Sequence, residues 1–133
     1  MCGIGGVIAI DKERPFSRPV QKSTLDLLKS LETRGRDAWG IFLKHKNEKY
    51  NLNCWKPDDT IKGELFKIDG SVSDFFEKRE GRIDTKNLII ALMHTRAATT
   101  GESTEIKNNH PFATKDFILA HNGTITNHLE LKN

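Results

Sequence analysis

Long apolar runs are missing from this 133-residue sequence. The longest stretch, Ile4 to Ile10, is broken by two glycines and is far too short to span a bilayer. Lying directly behind Met1, it also lacks the basic flank of a signal peptide. Cysteine is scarce: Cys2 and Cys54 offer no disulfide framework, which points to a reducing, cytoplasmic setting. Charge of one sign is not concentrated anywhere. Twenty-one Lys and Arg stand against 18 Asp and Glu, a net charge of +3 with a pI near 8.9. Signs alternate, as in Glu77 to Lys86, the pattern of a solvated surface. Without a basic stripe interleaved with stacking aromatics, the composition argues only weakly for a polyanionic partner. What is present is 36% hydrophobic and 29% charged with a mean hydropathy of -0.55, the profile of one soluble domain able to bury a core.

Periodicity and turn residues place the elements. Gly3 to Ile10 reads as a strand, stopped by Asp11 and a loop holding Pro15 and Pro19. Ser23-Thr-Leu-Asp26 reads as a helix N-cap followed by an acid, with Leu25, Leu27, Leu28 and Leu31 on the apolar face. Gly35 then sits where a helix C′ glycine belongs, ending that helix near Arg34. Ala38 to Lys44 and Tyr50 to Trp55 read as a hairpin, with Cys54 a buried strand residue. Lys56 to Lys86 is less regular, apart from a short capped helix over Ser71 to Lys78. Asn87 to Met93 and Phe117 to Ala120 are further strands, and Phe42, Phe66, Phe75, Phe76, Phe112 and Phe117 are core candidates. The order is that of an α+β fold. From Asn127 the chain enters what reads as the first turns of a helix, so more sequence is expected beyond Asn133.

Cys2 is the sharpest chemical feature. Removal of Met1 would leave it N-terminal, where an α-amine with a usual pKa of ~7.7–8 serves as a built-in general base for the thiol. Gly3, Gly5 and Gly6 permit close backbone approach around it. Arg34-Gly-Arg-Asp-Ala-Trp-Gly40 is a second cluster; a helix end running into a strand explains its Gly35 well and its Asp37 poorly. Met93 to Gly101 carries Arg96 out of a buried strand, suited either to a bidentate carboxylate grip or to a surface ion pair. Asn108 to Phe112 and Leu119 to Asn127 complete the set. Within the last, Asn122-Gly123 suits a type I′ hairpin turn or an oxyanion hole made of a side-chain amide and a backbone N–H. His94, His110 and His121 are not at metal-ligand spacing and read as loop and pocket structure, so no metal and no cofactor is expected.

Taken together, Met1-Cys-Gly-Ile-Gly-Gly6, Arg34 to Gly40, His94-Thr-Arg-Ala-Ala-Thr99, Asn109-His-Pro-Phe112 and His121 to Asn127 closely resemble, in order, the motifs of one family. This is the glutaminase domain of class II glutamine amidotransferases, N-terminal-nucleophile (Ntn) hydrolases of the glucosamine-6-phosphate synthase and amidophosphoribosyltransferase type. The resemblance implies an αββα sandwich, incomplete at its C-terminus, with residues 1–133 as the glutaminase domain. It implies Cys2 as the nucleophile on the glutamine side-chain amide, with Asn122 and Gly123 as the oxyanion hole. Arg96 resembles the residue gripping the α-carboxylate, Thr99 lies in the glutamine-pocket loop, and Arg34 resembles an arginine packed beside the nucleophile. Glutamine would be the substrate and ammonia would pass to a synthase domain or subunit outside this chain; nucleic acid and membrane are not expected partners. Ala97 and Thr100 replace an aromatic and a histidine of the glucosamine-6-phosphate synthase branch, so the branch is open. Two competing readings are a non-catalytic amidotransferase-like binding or regulatory module, and a γ-glutamyl amide or dipeptide hydrolase on the same fold.

Overall fold

Gly3–Ile8 forms β1, whose odd positions turn inward while Ile4, Gly6 and Ile8 face solvent. The computed structural model describes residues 1–9, 18–46, 63–78, 81–99, 101–114 and 116–131. Helix α1 spans Arg18–Leu31, so it begins before the Ser23 cap expected from sequence. Pro19 falls in its first turn, where the missing N–H costs nothing. The hydroxyls bond inward instead of capping: Thr24 Oγ1 donates to Val20 O at 2.8 Å and Ser30 Oγ to Asp26 O at 2.8 Å. Leu28 is buried, with Leu25, Leu27 and Leu31 packed around it, as the apolar spacing requires.

A 3₁₀ turn, Glu32–Arg34, closes the helix. Gly35 does not act as a left-handed C′ residue, because its φ of -172° is extended backbone. Space is what demands glycine: a Cβ there would stand 2.4 Å from Arg96 C and 2.6 Å from Ala97 N. Strands β2 (Ala38–His45), β3 (Glu64–Asp69) and β4 (Leu88–Arg96) join β1 in one antiparallel sheet ordered β1-β4-β2-β3. β3 falls in the stretch expected to be irregular, where Glu64, Lys67 and Asp69 break up the apolar pattern. Residues 50–55, the expected hairpin partner of β2, and Cys54 with them, lie outside the described residues; the described neighbours of β2 are β3 and β4. The short helix after Ser71 is present as a π-helical turn, Asp74–Lys78, and Ser71 Oγ accepts the Asp74 N–H at 3.0 Å as the expected cap.

Each face of the sheet has its own core. Leu28 of α1 meets Trp39, Ile41, Leu43, Ala91 and Met93, with Val7, Phe66, Ile68, Phe75 and Phe76 alongside. Each such side chain, fully buried, contributes roughly 1.5–3 kcal/mol. On the opposite face Phe42 and Leu65 meet Ala113, flanked by Leu92 and Ile118. Ala113 and Ile118 come from a small ribbon, β5 (Phe112–Ala113) paired with β6 (Ile118–Leu119). Phe117 departs from expectation: it is 54% exposed beside this ribbon. The layers are therefore helix, four-stranded sheet and two-stranded ribbon, an α+β arrangement; a complete αββα sandwich would need a further layer. No helix among the described residues is long and apolar enough to cross a membrane. After Asn127 the chain makes exposed turns closed by Glu130 N–H and Leu131 N–H on Asn127 O, at 3.0 and 3.2 Å, in place of the expected helix.

Candidate active site

Strand register brings three motifs to one end of the sheet. Gly3 pairs with Thr95, and Ala38 pairs with Arg96. Cys2, half-buried, thereby lies beside the exit of β4 with its Sγ 3.7 Å from Ala97 O. Asp37, poorly explained as part of a helix end, now has a role. Its backbone N–H donates to Arg96 O at 3.0 Å, and its carboxylate accepts the Ala98 N–H at 2.7 Å. The chain leaving β4 is thus pinned where it passes Cys2. Arg34 Nε donates to Cys2 O at 3.4 Å, so this exposed arginine packs behind the thiol-bearing residue.

Arg96 points inward, not to the surface. It is 6% exposed, and its guanidinium donates to Gly101 O at 2.8 Å, Glu102 O at 3.2 Å and Asn109 Oδ1 at 2.8 Å. Asn109, fully buried, passes the restraint on by donating from Nδ2 to Ser103 O at 2.8 Å. The loop after β4 is thereby wrapped around a fixed cation. Asn109 was visible in sequence only as a letter of the Asn-His-Pro motif; its two-sided amide geometry is a tertiary fact.

A cleft of about 460 Å³ opens between this loop and the segment after β6. Cys2, Arg96, Thr99, His121, Gly123 and Ile125 are on its wall. Four of the six residues singled out from sequence are thus brought together. Arg34 touches Cys2 from outside the cleft, and Asn122 is exposed next to Gly123 without lining it. The hairpin alternative for Asn122-Gly123 lapses, since no described strand follows it. Gly123 has a φ of 150°, a conformation in which an L side chain is strained. Among the described residues no three His, Cys, Asp or Glu side chains converge to hold a metal ion.

On the cleft wall, the His110 ring lies between His94, at 4.4 Å, and Phe112, at 4.3 Å. Burial pushes the pKa of His94 below its usual value, and burial together with the neighbouring His94 pushes His110 down from 6.5 to about 4. An unfolded chain therefore binds the His110 proton more readily than the folded one between those values. Stability is expected to fall as pH drops from 6.5 through about 4, with this group contributing no further loss below that. Urea midpoints of the parent and His110→Phe at about pH 7 and about pH 4.5 check this: the variant should lose less on acidification.

No protein-family model matches the chain. Its relatives do place it: the chain belongs to the class II, N-terminal-nucleophile glutamine amidotransferase domains. Glutamine–fructose-6-phosphate aminotransferase (isomerizing) of Haemophilus influenzae is 34% identical over 99% of this chain and 18% of its own length. Amidophosphoribosyltransferase of Escherichia coli is 34% identical over 99% of this chain and 22% of its own length. 7-Cyano-7-deazaguanine synthase 2 of Sulfurisphaera tokodaii is 30% identical over 99% of this chain and 26% of its own length. The chain thus spans about a fifth to a quarter of these relatives.

Proposed function

We propose that this chain is the glutamine-hydrolysing domain of a class II amidotransferase. The observation that carries the reading is the convergence of Cys2, Arg96, Thr99 and Gly123, from three separated motifs, on one cleft. Once Met1 is removed, the new α-amine of Cys2 takes the thiol proton, directly or through one water. Met1 is 83% exposed, which leaves its peptide bond open to processing. The sulfur then attacks the side-chain carbonyl carbon of glutamine. The oxygen that becomes negative is met by the Asn122 side-chain amide and the Gly123 backbone N–H. Collapse of the tetrahedral species breaks the C–N bond, and the α-ammonium returns its proton to the departing ammonia. Water, deprotonated by the same amine, cleaves the γ-glutamyl thioester to glutamate and regenerates the thiol.

Arg96, already fixed in the cleft wall, grips the α-carboxylate of glutamine, with Thr99 beside it. Arg34 holds the Cys2 carbonyl and so the height of the nucleophile. Ammonia passes to a synthase domain or subunit that is not residues 1–133. The setting is the cytoplasm. The test is ammonia release from glutamine by the purified protein, with intact mass recorded beside it. Loss of Met1 together with turnover is the expected result. A processed, folded protein that cleaves γ-glutamyl dipeptides to glutamate and the free amino acid but releases no ammonia from glutamine overturns the substrate; one that acts on neither overturns the enzyme.

A further inference from the structure

His94 occupies a site where an apolar side chain would be cheaper. It lies at a β4 position opposite Ile4 of β1 and Gly40 of β2, is 0% exposed, and packs its ring at a tilt of 36° against His110. Taking both ring nitrogens out of water costs free energy unless each is hydrogen-bonded. Nδ1 finds no partner among the described residues. Nε2 has one, the carbonyl oxygen of His121 at 3.1 Å. A carbonyl only accepts, so the proton sits on Nε2, and this single contact fixes the tautomer.

That contact spans 27 residues and falls at a telling place. Pairing of β5 with β6 ends at Leu119, and residues 121–131 are exposed. Among the described residues, His94 supplies the one hydrogen bond that ties residues 120–124 to the rest of the protein. His121 is also in contact range of Gly123, since a Cβ built on that glycine would stand 3.0 Å from His121 Nε2. The backbone that carries both Asn122 and Gly123 is therefore anchored through His121.

We infer that His94 is a positioning residue, its buried Nε2–H holding the His121 carbonyl and so fixing the backbone of Asn122 and Gly123 at the cleft that Gly123 and Cys2 both line. The inference rests on the glutaminase reading above. The test compares three proteins, the parent, His94→Leu and His94→Gln, whose amide keeps a donor at about the reach of Nε2. Two reactions are followed in each, glutamine turnover and alkylation of Cys2 by iodoacetamide, read by peptide mass. Iodoacetamide reacts by displacing iodide from a tetrahedral carbon and develops no oxyanion.

His94→Leu is expected to lower kcat by about 10- to 100-fold, with KM within about threefold and the alkylation rate within about twofold of the parent. His94→Gln is expected to recover most of kcat. Three results overturn the inference: an unchanged kcat in His94→Leu, a His94→Gln as slow as His94→Leu, or an alkylation rate that falls in step with kcat. A parent that alkylates but never releases ammonia fails the glutaminase reading, and this inference with it. An active parent with an indifferent His94→Leu fails this inference alone.

Discussion

Cys2→Ser, in protein that has lost Met1, is expected to lower glutamine turnover by about 10⁴-fold while leaving thermal stability almost unchanged. The two side chains differ by one atom, and Cys2 is only half-buried, with Ala97 O the one described polar contact of its thiol. Folding has little at stake in that exchange. Chemistry has much, because a hydroxyl yields its proton to a nearby amine far less readily than a thiol does. Ammonia release measured alongside a melting curve separates the two effects. Turnover within about tenfold of the parent would mean that the bond-forming atom lies elsewhere.

Gly40→Ala is expected to do the opposite, removing structure first and activity as a consequence. A Cβ at Gly40 would stand 2.2 Å from His110 O and 2.8 Å from Phe66 O, both backbone atoms that cannot swing aside. Gly40 also lies in β2, an interior strand held by β3 and β4. Relief requires lifting the His110 segment off the sheet, and with it the ring packed against His94. Overpacking of this kind costs about 3 kcal/mol or more, which for a domain of this size lowers Tm by on the order of 10 °C. Gly6→Ala is the matched control, since the nearest atom to its Cβ would be Ala91 O at 3.4 Å, an ordinary contact. Equal melting temperatures for the two variants would show that the His110 segment yields freely.

Much of this molecule could be read before any coordinates. β1, β2 and β4 are apolar runs of strand length, but their pairing through β4 and its register are not written in those runs. Cys2, Arg96, Thr99 and Gly123 were each marked by a local motif. What could not be read is what depends on partners distant in sequence. β3 is a strand because β2 offers it an edge, not because Glu64, Lys67 and Asp69 favour one. Gly35 looked like a helix cap, and only the passage of Arg96 and Ala97 beside it reveals a steric requirement. Asn109 and His94 are polar residues whose significance lies wholly in what they reach: a guanidinium in one case, a carbonyl 27 residues away in the other.

The two walls of the cleft differ in kind. Cys2 and Arg96 adjoin neighbouring strands, so the distance between them is governed by a ladder of backbone hydrogen bonds, as stiff a gauge as a protein possesses. Gly123 stands on an exposed segment with a single described tether. One jaw is machined and the other is hung. Whatever settles against residues 121–125 therefore meets a spacing from thiol to guanidinium that the sheet has already set.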